Sequence, residues 1–184
     1  MNRKNHILII CNEFPPCKRI GGIGRLSKII ADSLVNNSFK CTVLGLYTDI
    51  DHNQDYTQEN GVRVVKVSIR RTLPGIGFII GKIKLNRWIK KINEENNIDI
   101  IEAPDYEGNF WLMRTFRAFK LVRLNGSETY FRTILNESLN WRYKLIEKKS
   151  IIKADAIISV SNYTLNETFK IFSLNEEDFK CKII

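Results

Sequence analysis

Histidine and cysteine are scarce in this 184-residue chain: His6 and His52, with Cys11, Cys17, Cys41 and Cys181. No C-x-x-C pair and no nearby histidine cluster occur, so a zinc site is not expected. Cys11, Cys41 and Cys181 lie in apolar, strand-like runs, where cysteine acts as a small buried hydrophobe, and a reducing, cytosolic setting follows. Long apolar runs are missing too. No stretch approaches the roughly 18 residues needed to span a bilayer. The basic start, Arg3 and Lys4, leads into an apolar run, Ile7–Cys11, that is too short for a signal peptide. The absence of G-x-G-x-x-G disfavours a nicotinamide-binding domain. A Tyr-x-x-x-Lys pair is also lacking, since Tyr143 is followed by Glu147 rather than lysine. No Ser/His/Asp or Cys/His set supports a side-chain nucleophile. No linker, repeat or low-complexity tract divides the chain, so residues 1–184 read as one domain.

What is present is an ordinary globular composition, 43% hydrophobic and 27% charged. Against 20 acidic residues stand 29 basic ones, a formal net charge of +9. That surplus favours anionic partners without choosing among nucleic acid, phosphorylated small molecules and an acidic membrane.

The pattern along the chain alternates strands and helices. His6–Cys11 (HILIIC) reads as a strand buried on both faces. A Pro-containing loop over Asn12–Ile20 leads through Gly21-Gly22-Ile23-Gly24 into a helix whose apolar stripe is Ile23, Leu26, Ile30 and Leu34. Asn36-Asn37 ends it. Cys41–Tyr47 and Val62–Ile69 are the next strands, with Thr48–Gly61 a polar surface loop between them. A basic helix follows over about Gly77–Asn96, then a strand over Ile98–Glu102 and a short aromatic-rich helix over Glu107–Phe119. Lys120–Leu124 is a fifth strand, Thr133–Lys153 a long helix, Ala156–Val160 a sixth strand, Asn162–Phe172 a helix and Lys180–Ile184 the start of a seventh strand. This order calls for an α/β fold, a Rossmann-like parallel sheet sandwiched between helices. Such sheets bind ligands beyond the carboxyl ends of their strands.

The loops at those ends are therefore the candidate site. Asn12 and Glu13 open the first, and Gly21 and Gly22 bring backbone N–H groups to a helix start where a phosphate is favoured, with Arg25 close by. A tight turn would use the same glycines. After the fourth strand, Asp105 and Tyr106 with Glu102 and Glu107 suit a hydroxyl-rich ligand, although Asp105 and Glu107 equally suit the start of the next helix. Asn125, Gly126 and Ser127 follow the fifth strand, as ligand contacts or as a turn. Ser161, beside Ser159 and Asn162, is a ligand contact or the N-cap of the next helix. In the basic helix, Lys82, Lys84, Trp88, Lys90 and Lys91 suit an anionic membrane surface. Packing of its apolar stripe on the sheet, with the lysines in water, is the alternative.

Four segments together resemble a known family: NEFPP with GGIGR in residues 12–25, IIEAPDYEG in 100–108, VRLNGS in 122–127 and ADAIISVSNYT in 154–164. Their order and spacing resemble the N-terminal domain of retaining GT-B glycosyltransferases of family 4. The resemblance implies a hexosyltransferase-like enzyme of polysaccharide or glycolipid synthesis; the cysteine usage and the basic helix add the expectation of a cytoplasmic protein, peripheral on the inner face of the membrane. It implies an acceptor-side domain, with Asn12, Glu13, Asp105, Tyr106, Asn125, Gly126, Ser127 and Ser161 toward a sugar or lipid-linked acceptor. Gly21 and Gly22 would face the phosphates of a nucleotide-sugar, a co-substrate, with no cofactor, no metal and no nucleic acid involved. Many members carry His where this chain has Asn125, whose amide has no titratable proton near neutral pH. The sequence stops at Ile184, inside the strand that normally precedes the domain linker, and no Glu-x7-Glu donor site follows, so the isolated chain is expected to be inactive. The alternative is a non-catalytic interaction module or split-enzyme subunit.

Overall fold

A computed structural model describes residues 3–18, 20–69 and 75–184. Among them are eight strands and five α-helices. They fall into two compact units, one running to Ile101 with Arg114–Ala118 added, the other made of Glu102–Met113 and Phe119–Ile184. Arg19, inside the loop read over Asn12–Ile20, lies outside the described residues.

The first unit begins with β1 (His6–Ile10), every residue of which is buried. Strands β2 (Lys40–Tyr47) and β4 (Arg63–Ser68) follow its direction: β1 pairs parallel with β2 and β2 parallel with β4. Two helices, α1 (Gly22–Asn36) and α2 (Ile76–Glu95), complete the crossovers. Of the apolar stripe expected on α1, Ile23, Ile30 and Leu34 pack against a core of Ile7, Ile9, Cys11, Phe14, Ala31, Cys41, Val43, Val62 and Val64. Helix α2 buries Leu85, Ile89 and Ile92.

Two polar links tie β1 to its surroundings, and the first of them, to β2, is buried. His6 Nε2 lies 2.9 Å from Thr42 Oγ1, and the Asp99 carboxylate accepts the His6 N–H at 2.7 Å. One expectation needs correcting: the polar stretch Thr48–Gly61 contains a strand, β3 (Gln54–Thr57), antiparallel to β4 at the edge. Its residues alternate between half-buried and exposed, so no continuous apolar run marked it.

In the second unit, β5 (Ile100–Pro104) arrives from the first, and β6 (Phe119–Leu124), β7 (Ala156–Ser159) and β8 (Cys181–Ile183) follow, in the order β5-β6-β7-β8. β6 and β7 pair in parallel, as do β7 and β8. The helix expected over Glu107–Phe119 does not form. A single 3-10 turn, Tyr106–Gly108, stands there, with Glu107 and Gly108 at φ +63° and +57°, conformations that cannot continue a right-handed helix. A β-carbon on Gly108 would sit 2.3 Å from Ile146 Cγ2, so glycine is required.

The long helix expected over Thr133–Lys153 is two helices, α3 (Glu128–Ile134) and α4 (Trp141–Ile152). Between them Asn136–Asn140, polar except for Leu139, turn the chain, Asn136 at φ +55° and Asn140 capping α4 by accepting the Arg142 N–H. Helix α5 (Asn162–Phe172) matches its expected span.

Candidate functional site

In the first unit the candidate residues sit on the loop that leaves β1. Asn12 anchors it, its Oδ1 accepting the Leu46 N–H at 2.8 Å. Phe14 is fully buried, and its N–H donates to Tyr47 Oη at 3.0 Å. The Pro15–Pro16 peptide is cis. Lys66, buried on β4, donates to the Pro16 carbonyl and lies 5.2 Å from the Tyr47 ring centroid. Burial pushes the Lys66 ammonium below its ordinary pKa and the Tyr47 phenol above its own. Lys66 gave no signal in the sequence, where it is one lysine in a strand-like run.

Glu13 closes this loop. Its Oε2 accepts the Gly21 N–H at 3.0 Å and its Oε1 accepts the Gly24 N–H at 2.8 Å. A carboxylate of the chain's own thus occupies the positive start of α1, whose N-cap Gly21 has no side chain to do so. The glycines follow from it. A β-carbon on Gly21 would lie 2.5 Å from Glu13 Oε2, and one on Gly24 2.1 Å from the Glu13 carbonyl oxygen. Gly22 is different: it is exposed and a β-carbon there meets nothing within 4 Å.

In the second unit, Asp105 is fully buried just past β5. Its carboxylate accepts the Asn125 N–H at 3.1 Å and the Gly126 N–H at 3.2 Å, so it clamps the loop leaving β6 rather than the start of a following helix. Desolvation, with Glu147 adding repulsion, outweighs these hydrogen bonds and pushes its pKa up to about 7. Gly126, at φ +96°, is packed so that a β-carbon would lie 2.6 Å from the Phe131 ring. Ser127 Oγ accepts the Tyr130 N–H and caps α3.

Glu147, buried on α4, accepts the Glu128 and Thr129 N–H groups at 3.1 and 3.2 Å. Burial raises its pKa. This second internal anion at a helix start was missed in the sequence, where Glu147 looks like any charge on a basic helix. Behind the loops, Arg123 Nε donates to Glu102 Oε1 at 2.7 Å, a buried ion pair between β5 and β6.

The Asn125 side chain is left half-buried, and among the described residues it has no hydrogen-bond partner. Tyr106 is exposed on the preceding loop. Ser161 Oγ accepts the Thr164 N–H at 3.0 Å, the capping bond of α5, while Ser159 Oγ donates to the Ser161 carbonyl at 2.9 Å. The structure thus brings Asp105, Asn125, Gly126 and Ser127 together in one unit and Asn12, Glu13, Gly21 and Gly22 in the other. Among the described residues, no group of three or more His, Cys, Asp or Glu side chains is placed to hold a metal ion.

The basic helix departs most from expectation. Lys82 is buried on α2, its Nζ 5.0 Å from the Phe78 ring centroid, so it is not a surface charge. Lys84 donates to the Ser68 carbonyl at 2.8 Å. Lys91 lies 4.6 Å from the ring centroid of half-buried Trp88, and exposed Lys90 pairs with Glu94 at 3.5 Å.

Parallel strands joined by helices, with Gly- and Asn-bearing loops at their carboxyl ends, define a Rossmann-like α/β fold, a class that binds ligands at that end of the sheet. The family model of Glycosyltransferase Family 4 matches residues 20–180, and the chain belongs to that family. Among solved structures it is similar to sucrose-phosphate synthase from Thermosynechococcus elongatus, at 13% identity and TM-score 0.77, covering 98% of this chain and 48% of that one. It is also similar to a glycosyltransferase from Rickettsia africae, at 12% identity and TM-score 0.56, covering 99% of this chain and 43% of that one. The chain therefore spans about half the length of both. No curated protein sequence matches it.

Proposed function

We propose that this domain forms the acceptor side of a retaining hexosyltransferase that draws on a nucleotide-sugar and acts on a sugar or lipid-linked acceptor. Cell-surface polysaccharide or glycolipid synthesis at the cytoplasmic face of a membrane is the setting this suits. The observation that carries the reading is the loop Asn125–Ser127. Asp105 holds its backbone from below, while among the described residues the Asn125 carboxamide has no partner at the carboxyl end of β6. A carboxamide both donates and accepts hydrogen bonds, which suits sugar hydroxyls. Tyr106, exposed on the neighbouring loop, offers a ring face to a sugar.

Asn125 has no proton to transfer near neutral pH, so this position orients rather than acts as acid or base. Gly22 is the glycine open to a donor phosphate, since Glu13 already takes the N–H groups on either side of it. In family terms, N–H groups and cations in a closed cleft meet the charge on the departing phosphate, with no divalent metal or other cofactor.

The test is a calorimetric titration of the chain with a short polyprenyl-diphosphate-linked hexose. Saturable binding is expected, weakened at least tenfold in Asn125→Ala with thermal stability unchanged. Equal binding by wild type and variant removes Asn125 from the site. A second reading, an interaction module without chemistry, is favoured by Asn125 standing where many family members carry His. It would stand if a folded chain bound neither this acceptor nor a nucleotide-sugar.

A further inference from the structure

Helix α2 is built inside out in its first half. It buries a lysine, Lys82 at 2% exposure, yet leaves Ile76 54%, Ile79 47%, Ile80 39% and Ile83 46% exposed. These four recur at i, i+3, i+4 and i+7, the spacing of a single helix face, and extend over about 10 Å of helix. The opposite side is the one that packs inward. Gly81, Leu85, Ile89 and Ile92 are buried there, and a β-carbon on Gly81 would lie 3.2 Å from Leu46 Cδ1.

Continued toward the C-terminus at the same helical period, the isoleucine face becomes basic, with Arg87, Lys90 and Lys91 all exposed. Glu94 is the acid on this face, and its contact with Lys90 at 3.5 Å is solvent-exposed on both sides. A face that is apolar for two turns and cationic for the next two matches the boundary between acyl chains and anionic headgroups. Among the described residues, no helix is long and apolar enough to cross a membrane, so the match is to lying on one.

We propose that this face of α2 docks on an anionic lipid bilayer, with Ile76, Ile79, Ile80 and Ile83 inserted and Arg87, Lys90 and Lys91 at the headgroups. Charge selects the occupant: the face continues the chain's surplus of +9, which a bilayer carrying negative headgroups complements. The lysines that do this are only partly those the sequence singled out, because Lys82 is buried and Lys84 is held by the Ser68 carbonyl. Helix α2 follows β4 and starts beyond its carboxyl end, the edge at which parallel sheets hold ligands. The docking does not depend on the transferase reading.

The experiment is flotation of the full chain with phosphatidylcholine vesicles, with and without phosphatidylglycerol. Wild type is expected to float with the anionic vesicles. The triple variant Ile79→Gln, Ile80→Gln, Ile83→Gln and the triple variant Arg87→Gln, Lys90→Gln, Lys91→Gln should each lose at least tenfold in partitioning, each headgroup cation being worth roughly fivefold. A charge-matched control, Lys144→Gln, Lys149→Gln, Lys170→Gln, should stay within about twofold.

Thermal unfolding checks that the variants fold, and if the isoleucine variant does not, the two charge variants decide. Absence of flotation by wild type, flotation of the isoleucine variant like wild type, or an equal loss in the control overturns the proposal. So does self-association that the isoleucine variant abolishes without any vesicle binding, which would make a second copy the occupant. Because no sugar is present, failure here leaves the transferase reading standing, and failure of acceptor binding leaves the docking standing.

Discussion

Glu13 and the glycines around it show how a residue pattern acquires a different physical meaning once its neighbours are known. Gly21-Gly22-Ile23-Gly24 looks like a phosphate cradle, yet two of its N–H groups are satisfied by a carboxylate eight and eleven residues earlier. The glycines should then differ in cost. Gly24→Ala drives a β-carbon into a backbone carbonyl and is expected to destabilise by about 2–4 kcal/mol, in the range of severe overpacking. Gly22→Ala meets open space and should be neutral or stabilising by up to about 1 kcal/mol, because it restricts the unfolded chain. Urea denaturation of both variants checks this, and equal effects would refute the role given to Glu13.

Asp105 makes a second residue-scale prediction, through pH. Its folded-state pKa is raised from the ordinary 3.8 to about 7. Between those values the folded protein keeps a proton that the unfolded chain has lost, so stability falls as pH rises through this window. His6 works the other way, since burial lowers its pKa from 6.5 and acid therefore favours unfolding. Comparing wild type with Asp105→Asn in urea across pH 4–7.5 separates the two. The difference should shift by a few kcal/mol in favour of the variant as pH rises, the scale of a three-unit shift. A pH-independent difference would mean that Asp105 titrates normally.

At the scale of elements, most strands and helices were legible because periodicity is local. The continuous apolar run of β1 and the 3.6-residue stripe of α1 each report a buried strand and a half-buried helix without knowledge of the partner. Elements decided by a single backbone conformation were not legible. Asn136 at φ +55° splits one expected helix into α3 and α4, and Glu107 at φ +63° replaces another by a turn. The Glu102–Arg123 pair joining β5 to β6 is likewise invisible in sequence, because its members are 21 residues apart. Removing one partner strands a buried charge, so Arg123→Met is expected to cost about 3–5 kcal/mol. The double variant Glu102→Leu, Arg123→Met should recover most of that. If the double variant is no better than the single, the pair is held by packing rather than by charge.

For the molecule as a whole, the class was readable well before the site. Four motifs in order, strands alternating with helices, and the loops at the strand ends led to the family that the match over residues 20–180 establishes. The candidate residues were readable as positions on loops, but not the partners they hold. Asn125, Gly126 and Ser127 do lie on one loop, but what holds that loop is Asp105, which composition suggested for sugar hydroxyls. The sequence by itself determined the alternation of elements, the apolar faces of β1 and α1 and the surplus of positive charge, all properties of neighbouring residues or of simple sums. Only the tertiary structure decided which carboxylates turn inward to backbone N–H groups, that Lys82 is buried, and that four isoleucines of α2 face outward. Those outcomes depend on which distant groups meet in space, and on the cost of leaving each buried donor, acceptor or charge without a partner.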